Sequence, residues 1–84
     1  MKRISFSDDA KANIRAIPRH LAMNILTAIH RLADSGAGRV KRLHDMEGGE
    51  MRLRVGDYRV RYTETVTAVR ILAVKNRKDA YRRD

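Results

Sequence analysis

The sequence predicts an α+β domain in which an antiparallel sheet carries a helical hairpin on one face, in the order βααββββ. Three observations predict it. Residues 7–35 show apolar positions at helical spacing, broken once by a proline. An alternating run folds back at Gly56-Asp57, with Gly first in a two-residue loop, the pattern of a type II′ hairpin. Finally, Val69-Arg70-Ile71-Leu72-Ala73-Val74 is apolar on both faces over its second half, as a strand inside a sheet should be.

The elements follow in order. Arg3-Ile4-Ser5-Phe6 alternates and reads as a short first strand. Ser7 offers an N-cap, and Asp8 and Asp9 fall in the first turn, where the helix dipole favours them. Ala10, Ile14 and Ile17 form the apolar stripe of a first helix, which must stop near Ile17 because the residue before Pro18 is pushed out of the helical region. Pro18 suits the first turn of a second helix, whose wide apolar face is Leu21, Ala22, Ile25, Leu26, Ile29, Leu32 and Ala33. Gly36 is its natural C-cap. Val40 to Leu43 is a brief strand, and residues 45–49 form a turn. The hairpin spans about Glu50 to Thr63, Thr65 to Thr67 make another turn, and the last strand leads into a basic tail.

Length and composition bound the function. At 84 residues the chain is expected to form one domain, 1–84, with a small core. It has no cysteine, so neither a disulfide framework nor a thiolate zinc site is available. No apolar run is long enough to span a bilayer and no signal-peptide core begins the chain, so a cytoplasmic location is expected, with no membrane partner. Nineteen Lys and Arg oppose ten Asp and Glu, a formal +9 and a pI near 10.9. A small domain this basic, with its charges clustered, is expected to bind a polyanion, nucleic acid above all. The alternatives are a solvated basic surface or one covered by an acidic protein. Aromatics are few (Phe6, Tyr58, Tyr62, Tyr81), which argues against a base-stacking platform.

The hairpin carries the chemistry. Folding it at Gly56-Asp57 faces Val55 with Tyr58, Leu53 with Val60 and Met51 with Tyr62 on one side. On the other side Arg54 opposes Arg59 and Arg52 opposes Arg61, with Glu50 sharing that face by alternation. Like charges directly opposite are destabilising, so the guanidinium quartet calls for an anion across it. Guanidinium forks bind phosphate bidentately and stay charged, which suits either a nucleic-acid backbone or a phosphoryl transition state. Lys75, Arg77, Lys78 and Tyr81 follow the last strand and add to this surface; Tyr81 could stack on a base, exchange a proton with a ribose hydroxyl, or simply pack the C-terminus. His20 and His30 share no metal-ligand spacing, and His44 stands before the hairpin, where it could approach the basic face. No motif for metal-dependent catalysis, phosphate loop or nucleophile elbow is present, so no metal and no cofactor are expected.

The run Leu53-Arg54-Val55-Gly56-Asp57-Tyr58-Arg59-Val60-Arg61-Tyr62, followed by Ile71-Leu72-Ala73-Val74-Lys75-Asn76-Arg77-Lys78-Asp79-Ala80-Tyr81, resembles the RelE/ParE superfamily of type II toxins. Lys41-Arg42-Leu43 is similar to that family's short strand, and the helical hairpin matches in length and place, so the resemblance covers nearly the whole chain. It implies a RelE-like fold and a toxin neutralised by a cognate antitoxin, expected from the charge to be acidic and partly disordered. In the RelE branch it implies a metal-independent endoribonuclease acting on mRNA on the ribosome: the ribose 2′-hydroxyl attacks the adjacent phosphate, leaving a 2′,3′-cyclic phosphate and a free 5′-hydroxyl. By position, Arg59 and Arg77 would stabilise the phosphorane, Arg52 and Arg54 would hold the backbone with Arg61, Lys75 and Lys78 beside them, and Tyr81 would orient or deprotonate the nucleotide. The chain departs from the pattern twice: Arg52 replaces a frequent lysine, and Asn76 stands where many members place a histidine. Arginine is a poor proton shuttle, which leaves Glu50 and Tyr81 as the candidates for general base. The ParE branch keeps the fold but poisons DNA gyrase without cleaving RNA. Arg59, Arg77 and Tyr81 together point to the RelE branch; a non-catalytic RNA-binding module is the third reading.

Overall fold

The computed structural model describes residues 1–42 and 49–77. Seven elements run in order: β1 Arg3–Phe6, α1 Asp8–Arg15, α2 Arg19–Ser35, β2 Arg39–Arg42, β3 Met51–Val55, β4 Tyr58–Glu64 and β5 Ala68–Asn76. The local signals act as expected. Ser7 caps α1 by accepting from the Ala10 N–H at 3.1 Å, and Gly36 ends α2 in the left-handed region at φ 76°. Pro18 stands one position earlier than expected, as the N-cap of α2, with extended ψ of 139°.

The five strands lie in the order β1-β5-β4-β3-β2. Three of the pairings are antiparallel, as the sequence suggests. The fourth departs from it: β1 runs parallel to β5, so the sheet is mixed. The chain leaves β1 through the helical hairpin, re-enters the sheet at the opposite edge as β2 and returns through the antiparallel meander to β5, so the two parallel strands are joined by the long connection that parallel pairing requires. Both helices cover one face. Ala10 of α1, Ile25, Ile29, Leu32 and Ala33 of α2, and Leu53, Val60, Tyr62, Val69, Ile71 and Val74 of the sheet form the core. The opposite face carries no helix among the described residues.

One irregularity in β5 decides what that open face displays. Tyr62 pairs with Ile71 but Arg61 pairs with Ala73, so Leu72 is an extra residue, a β-bulge. Without it, Arg70 and Lys75, five positions apart, would point to opposite sides of the sheet. With it, Val69, Ile71 and Val74 all reach the core, while Arg70, Ala73 and Lys75 share the open face with Thr63, Arg61 and Arg59. Helix α1 fixes the bulge. The Ser7 hydroxyl donates to the Leu72 carbonyl at 2.8 Å, the Ser7 N–H donates to the Ile71 carbonyl at 2.9 Å, and the Asn13 Oδ1 accepts from the Val74 N–H at 3.0 Å. The backbone groups that a bulge takes out of the strand ladder are thereby satisfied.

Candidate nucleic-acid interface

Gly56 has φ 58°, which an L side chain adopts at a cost, and this glycine lets β3 and β4 reverse in two residues. The register is the one read from the sequence: Val55–Tyr58, Arg54–Arg59, Leu53–Val60, Arg52–Arg61 and Met51–Tyr62. Val55–Tyr58 closes the turn as a hydrogen-bonded pair, so Arg54 and Arg59 meet at the narrower spacing, about 4.5 Å between Cα atoms. The four arginines share the open face, away from the buried Leu53, Val60 and Tyr62.

Strand β5 extends this pattern. Lys75 pairs with Arg59, so Arg54, Arg59 and Lys75 form a cationic row across three strands. In the next row Arg52 pairs with Arg61, and Arg61 with Ala73. The β2 register sets Arg39 opposite Arg54 and Lys41 opposite Arg52. Arg77 follows β5 directly, and its N–H donates to the Asp57 carbonyl at 2.6 Å, which ties the end of β5 to the hairpin turn. Arg54, Lys75 and Arg77 are exposed, whereas Arg52 and Arg59 are half-buried.

The quartet is not electrostatically uniform. Glu50 takes a bidentate fork from Arg61, Nε to Oε2 at 3.0 Å and Nη2 to Oε1 at 2.7 Å. The hydrogen bond from Arg61 to Glu50 raises the Arg61 pKa above its ordinary value, with burial opposing it and the Glu50 charge adding a lesser push in the same direction. Since Glu50 precedes Met51, the partner of Tyr62, the fork draws Arg61 toward the start of β3 and away from the turn. The Glu50 side chain is 14% exposed and both of its oxygens are engaged, so a role as general base has to compete with this pair. Arg61, at 49%, remains open to solvent.

Of the expected site residues, Arg54, Arg59, Lys75 and Arg77 thus gather at the turn end of the sheet, Arg52 and Arg61 form the next row, and Glu50 lies beyond them, away from the turn. Tyr81 and Lys78, and with them His44, lie outside the described residues. His20 and His30 are exposed on α2, and the His30 Nδ1 lies 2.9 Å from the Leu26 carbonyl within its own helix. Among the described residues no three His, Cys, Asp or Glu stand together as a metal site. No helix among them is long and apolar enough to cross a membrane. What sequence reasoning missed is the continuation of the basic face through Arg70. The signal was available in the spacing of Val69, Ile71 and Val74, where an interval of two gives way to one of three.

A family model described as the ParE toxin of the type II toxin–antitoxin system parDE matches residues 4–81. The chain belongs to that family. It is a type II toxin of the RelE/ParE superfamily. Solved structures agree with the fold. The archaeal RelE–RelB complex of Pyrococcus horikoshii OT3 is similar at TM-score 0.77 and 23% identity, over 90% of this chain and 94% of that one. The toxin–antitoxin complex RelBE2 of Mycobacterium tuberculosis gives 0.77 and 23%, over 89% and 96%. The chromosomal ParDE system of P. aeruginosa gives 0.65 and 18%, over 90% and 96%. Comparison with curated proteins by sequence gives no match.

Proposed function

We propose that this toxin is a metal-independent endoribonuclease that cuts mRNA on the ribosome and so stops translation in the cytoplasm. The observation that carries the reading is the row Arg54–Arg59–Lys75, held beside Arg77 by its bond to the turn. Four permanently charged or strongly basic side chains at one end of a sheet suit a phosphodiester whose charge rises in the transition state. In the reaction implied by the resemblance, the 2′-hydroxyl loses its proton and attacks the adjacent phosphorus. The 5′-oxygen leaves and takes up a proton, giving a 2′,3′-cyclic phosphate and a 5′-hydroxyl. Arg59 and Arg77 act on the phosphorane, Arg52 and Arg54 hold the backbone, and Tyr81 remains the candidate for handling the proton. Glu50 serves by holding Arg61. The natural partner is an antitoxin with an acidic, partly disordered segment, because charge complementarity to a +9 chain favours capture and folding on contact.

A second reading, inhibition of DNA gyrase without RNA cleavage, is favoured by the family model itself and by the engagement of both Glu50 oxygens. Purified toxin added to translating ribosomes, followed by primer extension, separates the two. New 5′-hydroxyl ends within the message, absent with Arg77→Ala, support the nuclease. Intact message with inhibited gyrase supports the second reading.

A further inference from the structure

We propose that Arg70, with Ser5 and Arg3, forms a second phosphate site that holds the same RNA strand a few nucleotides from the cleavage row. The inference rests on the RNA-binding reading above and adds where the strand runs.

The β5 bulge is its foundation. Leu72 re-phases the strand so that Arg70 stands on the open face in line with Ala73 and Lys75, and α1 holds the bulge through Ser7 and Asn13. Strand β1 completes the site. Ser5 pairs with Arg70, and the Arg70 Nη1 reaches the Ser5 Oγ at 3.5 Å, a loose contact that leaves most of the five guanidinium N–H donors to a ligand. Arg3 pairs with Ala68, one alternation back along the same face. Both arginines are exposed, and among the described residues neither is paired with a carboxylate. Glu64, which faces the helix side, is held by Lys2 at 2.7 Å.

The two basic zones are separated by four residues of β4, Arg59 to Thr63, or about 13 Å at the usual strand rise. Between them, along β4 and β5, the face is low and its one charge is matched, while Arg52 beside it on β3 is half-buried. Ala73 has a small side chain, and the charge of Arg61 is matched by Glu50. Cationic ends flanking a neutralised middle fit a single-stranded backbone running along β4 and β5, with phosphates gripped at both ends. A compact anion would need one end alone.

Binding of 2′-O-methyl RNA, which lacks the nucleophile and is not cut, tests this. Affinities of a dinucleotide and a hexanucleotide are measured for the wild-type toxin, Arg70→Gln, Arg70→Lys and Arg59→Ala across a salt series. The expected result is that Arg59→Ala weakens both oligonucleotides, while Arg70→Gln weakens the hexanucleotide alone. The loss should be about fivefold at 0.1 M salt, and the salt slope should fall by about 0.7, the release expected from one single-strand phosphate contact. Arg70→Lys should restore most of the affinity. Hexanucleotide binding unchanged in Arg70→Gln, with Arg59→Ala still impaired, would overturn the second site and leave the cleavage row standing. A loss in Arg70→Gln confined to an acidic polypeptide such as polyglutamate would also overturn it and assign the patch to a protein. Failure of the wild type to bind either oligonucleotide would overturn this proposal together with the RNA-binding reading.

Discussion

Asn13 is the residue by which one buried backbone amide, and with it the display of the basic face, can be tested. Its Oδ1 accepts from the Val74 N–H at 3.0 Å, and Val74 is 2% exposed. Asn13→Ala removes the acceptor and leaves that N–H buried without a partner, at a cost of about 1–3 kcal/mol. Alanine is the better helix former and returns about 0.6 kcal/mol. The net loss is therefore about 0.5–2.5 kcal/mol, and for a chain of this size each kcal/mol lowers Tm by about 4–8 °C. Asn13→Asp keeps an acceptor at the same position and is expected to stay within about 0.5 kcal/mol of the wild type. Urea unfolding followed by circular dichroism gives both values. Asn13→Ala as stable as the wild type, or Asn13→Asp as damaging as Asn13→Ala, would refute the claim that this side chain secures the bulge.

Three further predictions concern single residues. The Tyr62 hydroxyl is fully buried and has no hydrogen-bond partner among the described residues, and burial, with the Glu64 charge second, pushes its pKa up to about 12. Above pH 10 the unfolded chain releases this proton and the folded one retains it, so the wild type loses stability as pH rises from about 10 toward 12; Tyr62→Phe should be close to neutral at pH 8 and lose less in that window, and equal alkaline losses in urea titrations would count against it. Gly56→Ala forces a side chain into φ 58° and should cost about 1–2 kcal/mol by the same unfolding assay, whereas no change would mean the turn relaxes into another type. Glu50→Gln should free Arg61 while retaining partial RNA cleavage on ribosomes; complete loss of cleavage with an intact fold would restore Glu50 as the general base.

Much of the fold was legible because local chemistry set it. Ser7, Gly36 and Gly56 act where their side chains or lack of one require, and the alternation of residues 51–62 fixes the hairpin register pair by pair. Long-range facts were less visible. Nothing in Arg3-Ile4-Ser5-Phe6 distinguishes a parallel from an antiparallel partner, since four alternating residues suit either ladder, and β1 proved parallel to β5. The apolar second half of β5 suggests burial on both faces, and Ala73 on the open face is indeed buried as Val74 is on the core face. That half is in part a bulge, with Val74 restored to the core side and Lys75 sent to the open one. At the site, sequence put four guanidiniums on one face but not the bidentate claim of Glu50 on Arg61, because that diagonal pairing depends on how strand β3 enters the sheet.

The central claim is that the hairpin row and Arg77 act on an RNA phosphodiester. Its most direct test is mapping of mRNA 5′ ends in cells after brief induction of the toxin, beside Arg59→Ala and Arg77→Ala produced to the same level. New ends in phase with codons are expected for the wild type, and both variants should lack them. Growth arrest by the wild type with an unchanged 5′-end profile and damaged DNA would contradict it.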